Sequence, residues 1–358
     1  MGLALKDVDR VVDQEIYLKD INLELQSGSR HVVLGRTLAG KTTLLRVMAG
    51  LDRPTNKGSI VVDGNDVTGQ SVRKRNVAMV YQQFINYPSL SIYKNIASPL
   101  RGTPKDEVDK RVRRVASILH IEHLLDRLPV ELSGGQQQRT AIARALVKDT
   151  GLLLLDEPLV NLDYKLREEL REELLSIFAK RESIVVYTTT EPTEALMLGG
   201  NIIIMHEGRI LQTGPTSEVY QKPASMKVAE VFSDPPINFI HANVGEGEVR
   251  LRIGIRFPLT GHLRDLPAGP YTFGIRSHHF SIHRETDDDI EIASRVELAE
   301  INGSQTFVHF HYRNRSLVLE EKGVNTYKGG SLIHVYVQPR HFYVFDEAGH
   351  LIKAPSLD

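Results

Sequence analysis

The sequence has 358 residues, long enough for two compact domains rather than one. Its 44 Lys and Arg stand against 45 Asp and Glu, a net charge of -1 that supplies no overall basic field for nucleic acid or an anionic membrane. The absence of cysteine excludes disulfides, thiolate zinc sites, iron–sulfur clusters and cysteine nucleophiles.

Over 1–234, short apolar runs alternate with longer stretches of helical period, which predicts a mixed α/β domain. MGLALKDVDR has no basic stretch followed by an apolar one, so a secretory leader is not expected and an intracellular place is. The first strand candidate, 31–34, runs into HVVLGRTLAGKTTLL, where Gly35, Gly40, Lys41 and Thr42 fit the spacing G-x-x-x-x-G-K-[ST] between strand and helix. Glycines there let backbone N–H groups wrap a phosphate, the lysine adds a cation toward its outer oxygens, and the threonine hydroxyl suits Mg2+. Arg36, Thr37, Leu38, Ala39 and Thr43 belong to the same loop. A helix over 41–49 follows, closed by Gly50, where a left-handed cap fits. A plain glycine-rich turn would not need this strand and helix around it.

A second strand is expected over 77–81, followed by Gln82, and Pro104 starts a helix over 105–119. Ser133, Gly134, Gly135 and Gln136 then open a helical pattern through Ile142, Ala145 and Leu146. Such an N-terminus is a ready anion site, whereas an ordinary cap needs only the serine and one glycine. The apolar strand 152–155 ends in Asp156, Glu157 and Pro158. A carboxylate at a strand tip can hold a metal through water and a second beside it can orient an attacking water; acidic residues also simply end strands. A charged helix over 164–180 and strands over 184–188 and 202–205 complete the region. Apolar runs of four residues are far short of the roughly 20 that cross a bilayer, and their uninterrupted character predicts a parallel sheet covered on both faces.

At SDPPINF the character changes, because a Pro-Pro pair cannot sit inside a helix. Beyond it VRLRI, YTFGI, TFVHFHY, SLVLE, LIHVYV and HFYVF are separated by turn signals, which predicts an all-β domain over 235–358. His309 and His311 fall on one side of an expected strand without a third ligand, so they read as exposed strand residues rather than a metal site.

In this order and spacing GRTLAGKTT, LSGGQ and LLLLDEP resemble the ATP-binding subunits of ABC transporters. The resemblance implies ATP and Mg2+ as cofactors, phosphate contacts along 35–43, Thr42, Gln82 and Asp156 at the metal, and Glu157 polarising water. It also implies a head-to-tail pair of ATPases in which Ser133 to Gln136 of one meet the γ-phosphate held by the other. RNVAMVYQQFINYPSLSIYKNIASPL is similar to the Q-loop and helical subdomain of the carbohydrate importer branch, the maltose and glycerol-3-phosphate type, which puts that subdomain at about 87–150. NLDYKLREELREEL resembles the branch's D-loop, with Asp163 reaching across the dimer, and PPINFI, FGIRSHHF and VYVQPRHFYVFDEAGHL resemble its OB-like, TOBE-type regulatory domain. TTTEPTEAL and the GRT loop look most like one of the paired, non-identical ATPases of glycerol importers. The partners so implied are a second homologous ATPase, two transmembrane permease subunits and a periplasmic or extracellular solute-binding protein, with no nucleic acid. The place implied is peripheral, on the cytoplasmic face of the inner membrane.

Two positions depart from that pattern. Where the family stacks an aromatic on adenine, ahead of KDIN, this chain has Val12; Tyr17 nearby reads as a strand residue facing its neighbours. Where the family has a switch histidine, this chain has Thr190, which is never cationic but can donate one hydrogen bond. Two rival readings follow. One is an ABC ATPase acting on nucleic acid or ribosomes through the β tail, opposed by the acidic stretch at 285–289. The other is a partner that binds ATP but turns it over weakly, favoured by Val12 and Thr190 and opposed by Glu157.

Overall fold

The structure, a computed structural model, describes residues 2–355 apart from 161 and 314. Contacts divide the chain into two compact units, Met1–Thr216 and Ser217–Asp358.

The first unit runs β1 (Leu3–Val12), β2 (Glu15–Leu25), β3 (Arg30–Leu34), α1 (Lys41–Ala49), β4 (Ser59–Val62), β5 (Asn65–Asp66), β6 (Val77–Val80), α2 (Ile92–Ala97), α3 (Lys105–Ile118) and α4 (Gly134–Leu146). It continues with β7 (Leu152–Asp156), α5 (Tyr164–Phe178), β8 (Ile184–Thr189), α6 (Pro192–Leu198), β9 (Asn201–His206) and β10 (Arg209–Pro215). A central sheet has the order β10-β9-β3-β8-β7-β6, parallel except for β10. Every residue of β7 and β8 is buried, as the unbroken apolar runs require of strands covered on both faces. Beside it lies an antiparallel sheet of order β2-β1-β4-β5, which the sequence pattern did not foretell.

One core joins the two sheets through α1: Leu44, Leu45 and Val47 pack with Val33, Leu154, Val186 and Ile203, and with Leu5, Val8 and Ile21 from the hairpin side. Each such side chain contributes about 1.5–3 kcal/mol by leaving water. The loop between β3 and α1 is therefore anchored at both ends by buried side chains. Helix α1 begins and ends where expected, with Gly50 in the left-handed region at φ 77°. The last residues of β3, β7 and β8 gather at one edge of the sheet, where open α/β folds place ligands.

The second unit opens with α7 (Thr216–Gln221) and α8 (Met226–Val231). Strands β11 (Asn238–Gly245), β12 (Glu248–Leu251), β13 (Arg256–Pro258), β14 (Gly269–Ile275), β15 (Phe280–Ser281), β16 (Ile290–Asn302) and β17 (Gln305–Tyr312) follow. Strands β18 (Arg315–Lys322), β19 (Leu332–Val337), β20 (Tyr343–Phe345) and β21 (Leu351–Lys353) complete it. They form two sheets, β13-β12-β11-β14-β20-β21 and β15-β19-β16-β17-β18, around one apolar core, an OB-like all-β domain. Phe257 stacks on Phe342 at 5.7 Å and Phe273 meets both edge-on.

The composition changes at Ser233, but the contacts change earlier, at Thr216. Arg276, only 2% exposed, explains why. It donates to Tyr220 O at 2.8 Å and Phe232 O at 2.9 Å and lies 3.7 Å from the centre of the Tyr220 ring, so both short helices are held to β14. Backbone bonds from Leu351 N to Ala224 O and from Met226 N to Gly349 O tie the same helices to the last strands. Helical period continues through these residues, so composition alone misses the change of partner.

His31 on β3 is 7% exposed, and burial pushes it down to about 4. Its Nε2 lies 2.7 Å from Ser29 Oγ, beside a cleft lined also by Lys6, Asp7 and Glu24. The unfolded chain takes up this proton near 6.5 and the folded one only near 4, so stability is full above 6.5 and falls as pH drops toward 4. About 2 kcal/mol is expected to be lost by pH 5. Denaturant melts at pH 7.5 and 5 should show this loss in the unmodified chain and a smaller one in His31→Gln.

Candidate functional site: a phosphate loop facing two carboxylates

The loop 35–40 is shaped by what its neighbours leave free. A Cβ on Gly35 would stand 2.7 Å from Met205 O and 2.8 Å from the Ala39 Cβ, so only glycine fits. Gly40 caps α1 at φ 98°, with Tyr17 O 2.6 Å from where a Cβ would be. Ala39 is buried, whereas Arg36, Thr37 and Leu38 are exposed, so the loop turns its backbone and its middle residues outward. Thr43 follows Thr42 in the first turn of α1.

Lys41 is 5% exposed and its Nζ donates to Gly35 O at 2.8 Å and Arg36 O at 3.2 Å. The same Nζ lies 3.0 Å from Glu157 Oε1. Gln82 Nε2 donates to the other carboxylate oxygen, Glu157 Oε2, at 3.3 Å. Asp156 ends β7 at 2% exposure, and its Oδ1 accepts from Thr42 Oγ1 at 3.1 Å and Thr188 Oγ1 at 3.0 Å. Burial pushes the Asp156 carboxyl up, and the two hydroxyls pull it back toward the charged form. Glu157 has φ 43°, an uncommon conformation for a side-chain-bearing residue, and its N–H donates to Thr188 Oγ1 at 2.9 Å.

The structure thus brings together the phosphate loop, Gln82, Asp156 and Glu157. Thr190 joins them: it lines one narrow cleft with Glu157, Arg167, Glu191 and Glu194. Ser133 to Gln136 stand apart, at the start of α4. Ser133 Oγ accepts from Gln136 N, and Gln136 Oε1 accepts from Ser133 N, a capping box that leaves Ser133 and Gly134 exposed. Gly135 packs closely as well: a Cβ there would stand 2.3 Å from Leu166 Cδ2, the end of a side chain that would have to move aside. Asp163 caps α5 by accepting from Leu166 N at 3.0 Å; Asn161, which opens the NLDYKL string, lies outside the described residues.

Val12 ends β1 opposite Glu15 and is 36% exposed. Tyr17 is a strand residue as expected: it lies on β2, its hydroxyl donates to Glu15 Oε2 at 3.2 Å, and its backbone lies against Gly40 and Gly208. His309 and His311 on β17 each pair with a separate glutamate, Glu300 and Glu297. No group of three or more His, Cys, Asp or Glu is placed to hold a metal among the described residues. A Mg2+ beside phosphates needs only one carboxylate with a hydroxyl, an amide oxygen and water, and Thr42, Gln82 and Asp156 offer that all-oxygen set.

A buried lysine at a glycine-lined turn, two carboxylates and a hydroxyl at the carboxyl edge of a parallel sheet define a phosphate-loop nucleotide-binding protein. The ABC transporter family matches residues 18–160. The sn-glycerol-3-phosphate import ATP-binding protein UgpC of Escherichia coli strain K12 is 33% identical over 350 residues, 96% of this chain and 98% of that protein. The ABC transporter ATP-binding protein YcjV of the same strain is 32% identical, with 96% and 97% covered. The dimeric, post-hydrolysis structure of the ATP-binding cassette MJ0796 with ADP and Pi superposes at a TM-score of 0.55 and 29% identity, over 60% of this chain and 98% of that one. This chain belongs to the ABC transporter ATP-binding proteins, and its class is that of an ATPase.

Thr188 is the residue that sequence reasoning missed. It pairs with Asp156 in the β7–β8 register, and that register is the only signal that could have found it. Thr188→Val keeps the shape but leaves Glu157 N and Asp156 each short of a partner, a cost of about 1–3 kcal/mol. Phosphate release in single turnover is expected to fall at least tenfold, with Thr188→Ser close to the unmodified chain.

Proposed function

We propose that this chain hydrolyses ATP to drive import of a small carbohydrate or polyol, glycerol among them, through separate permease subunits. The observation that carries the ATPase side is the pair Lys41–Glu157 at 3.0 Å, beside Asp156 and Thr42. It puts a phosphate-binding cation and a water-polarising carboxylate within reach of one γ-phosphate. Import is supported by the name of the UgpC relatives, which match 96% of this chain, the β domain included.

In this reading the N–H groups of 35–43 wrap the β-phosphate and Lys41 exchanges Glu157 for a γ-phosphate oxygen. Thr42, Gln82 and Asp156 would hold Mg2+, which would supply positive charge to the phosphates. Glu157, freed from Lys41, accepts a hydrogen bond from the attacking water, and Thr190 donates toward the γ-phosphate. The exposed Ser133 and Gly134 offer a hydroxyl and N–H groups to the nucleotide of a second, homologous and non-identical ATPase, with Asp163 at the contact. Two permeases and a solute-binding protein complete the complex, with this chain peripheral on the cytoplasmic face of the membrane.

Lys41→Ala is expected to abolish ATP-dependent uptake in the assembled complex, since it leaves the phosphates without their charge partner, and to lower the melting temperature without loss of the folded circular dichroism spectrum, since Glu157 loses its buried cation. Uptake at the unmodified level would remove the assignment of the loop.

A second reading, a nucleotide-binding partner of low turnover, is favoured by Thr190. Thr190→His, which lengthens the donor reaching into the Glu157 cleft, is then expected to raise ATPase activity of the complex about tenfold or more. An unchanged rate with an intact fold would mean that threonine already suffices.

A further inference from the structure

One buried carboxyl beside the site has no part in the steps above. Glu194, in the first turn of α6, is 7% exposed and lines the narrow cleft with Glu157 and Thr190. Its Oε1 accepts from the Tyr187 hydroxyl at 2.8 Å, and the Thr189 hydroxyl donates to the same carboxyl. Burial pushes this carboxyl up, and the two hydroxyls pull it back toward the charged form. Tyr187 and Thr189 are two apart on β8 and so point to one face of the strand, while Thr188 between them points to the other, toward Asp156. Buried carboxyls therefore grip the end of β8 from both faces, Asp156 through Thr188 and Glu194 through Tyr187 and Thr189.

Thr189 is where this grip reaches Thr190. Its Oγ1, while donating to Glu194, accepts from Glu191 N at 3.0 Å, and its carbonyl accepts from Gly35 N at 3.3 Å. Glu191 is fixed in turn by Arg167 Nη1 at 2.6 Å. Thr190 stands half-buried between these two held residues. A threonine hydroxyl has only χ1 to turn about, so it goes where its backbone puts it; a longer side chain could correct a misplaced backbone by rotating further torsions.

We propose that Glu194 is a positioning residue for hydrolysis: by holding Thr189 it sets the turn 189–191, and with it the point from which the Thr190 hydroxyl donates. The inference rests on Thr190 being the donor to the γ-phosphate. A donor that is short must be placed by its surroundings, and a buried carboxyl that receives two hydroxyls from one strand face is a stiff support for doing so.

Glu194→Leu removes the acceptor of both hydroxyls, Glu194→Gln keeps one oxygen in place, and Thr189→Val cuts the same hold from the strand side. In the assembled complex at saturating ATP, phosphate release in single turnover is expected to fall about tenfold or more in Glu194→Leu and in Thr189→Val, and to stay within about twofold of the unmodified chain in Glu194→Gln. The ATP Kd should stay within about twofold in all three, since the phosphate loop is untouched, which also certifies the fold; where Glu194→Leu fails to bind ATP, Thr189→Val carries the test. Thr190→Ala alone should lower the rate, and adding Glu194→Leu or Thr189→Val to it should cost no more than about twofold further, because their effect runs through Thr190. An unmodified rate in Glu194→Leu, or losses that multiply in the double variants, would overturn the positioning role while leaving Thr190 as the donor. An unmodified rate in Thr190→Ala would instead remove the donor, and this inference with it.

Discussion

The site depends on one buried carboxylate. Asp156 is 2% exposed, and a charge so placed persists only if hydrogen bonds replace the water it has lost. Two hydroxyls do so, Thr42 from the start of α1 and Thr188 from β8, while Asp156 itself ends β7. Three elements therefore meet at one oxygen. Shifting the phosphate loop by a fraction of an ångström would strip a donor from Asp156, so the loop and the expected metal ligand keep their spacing. Thr188 must donate to Asp156 and accept from Glu157 N at once, which a hydroxyl can do and a methyl or an amide N–H cannot. That second bond helps hold Glu157 in a left-handed conformation which costs an ordinary residue about 1–3 kcal/mol.

Electrostatics links the other half of the site. Lys41 and Glu157 have side chains only 4% and 14% exposed, so neither charge is solvated well enough to stand alone. A phosphate oxygen that takes Lys41 offers it an equal or greater charge, and the freed carboxylate keeps the Gln82 amide as its remaining donor. In the proposed mechanism nucleotide arrival and release of the carboxylate are one exchange rather than two events. Gln82 stands on its own loop after β6 and is exposed, yet its amide reaches Glu157, which places it with the site.

What was legible in the sequence follows from the range over which each feature is set. Strands β3, β7 and β8 are unbroken apolar runs because both faces are covered, and a run needs no partner to be seen. Gly50 and Pro104 mark their helix ends by backbone chemistry alone. Strand β1 was hidden because its ladder shifts at Leu5, Val8 and Arg10, which scrambles the alternation of buried and exposed residues. Strand β16 was hidden likewise: Ile290, Ile292 and Val296 are buried, but a shift after Val296 leaves Leu298 and Ile301 half exposed. Thr188 and Arg276 act through register and a carbonyl cage, and neither exists until distant strands are paired.

The two departures from the family pattern differ in kind. A base face is recognised by contact area, and Val12 offers less of it than an aromatic would. A donor to the γ-phosphate must come from one direction, and the candidates around Glu157 are already engaged. Thr189 Oγ1 accepts from Glu191 N at 3.0 Å and is buried, Arg167 is held by Glu191 at 2.6 Å, and Glu194 accepts from Tyr187 at 2.8 Å. In the proposed mechanism that leaves Thr190 to donate on this side of the cleft, shorter than a histidine and without its charge. In the proposed mechanism a shorter transition-state donor would lower turnover more than nucleotide binding, which Lys41 and the loop would carry. The capping box of Ser133 and Gln136 stands apart from this cleft, at the start of α4, with Ser133 and Gly134 exposed.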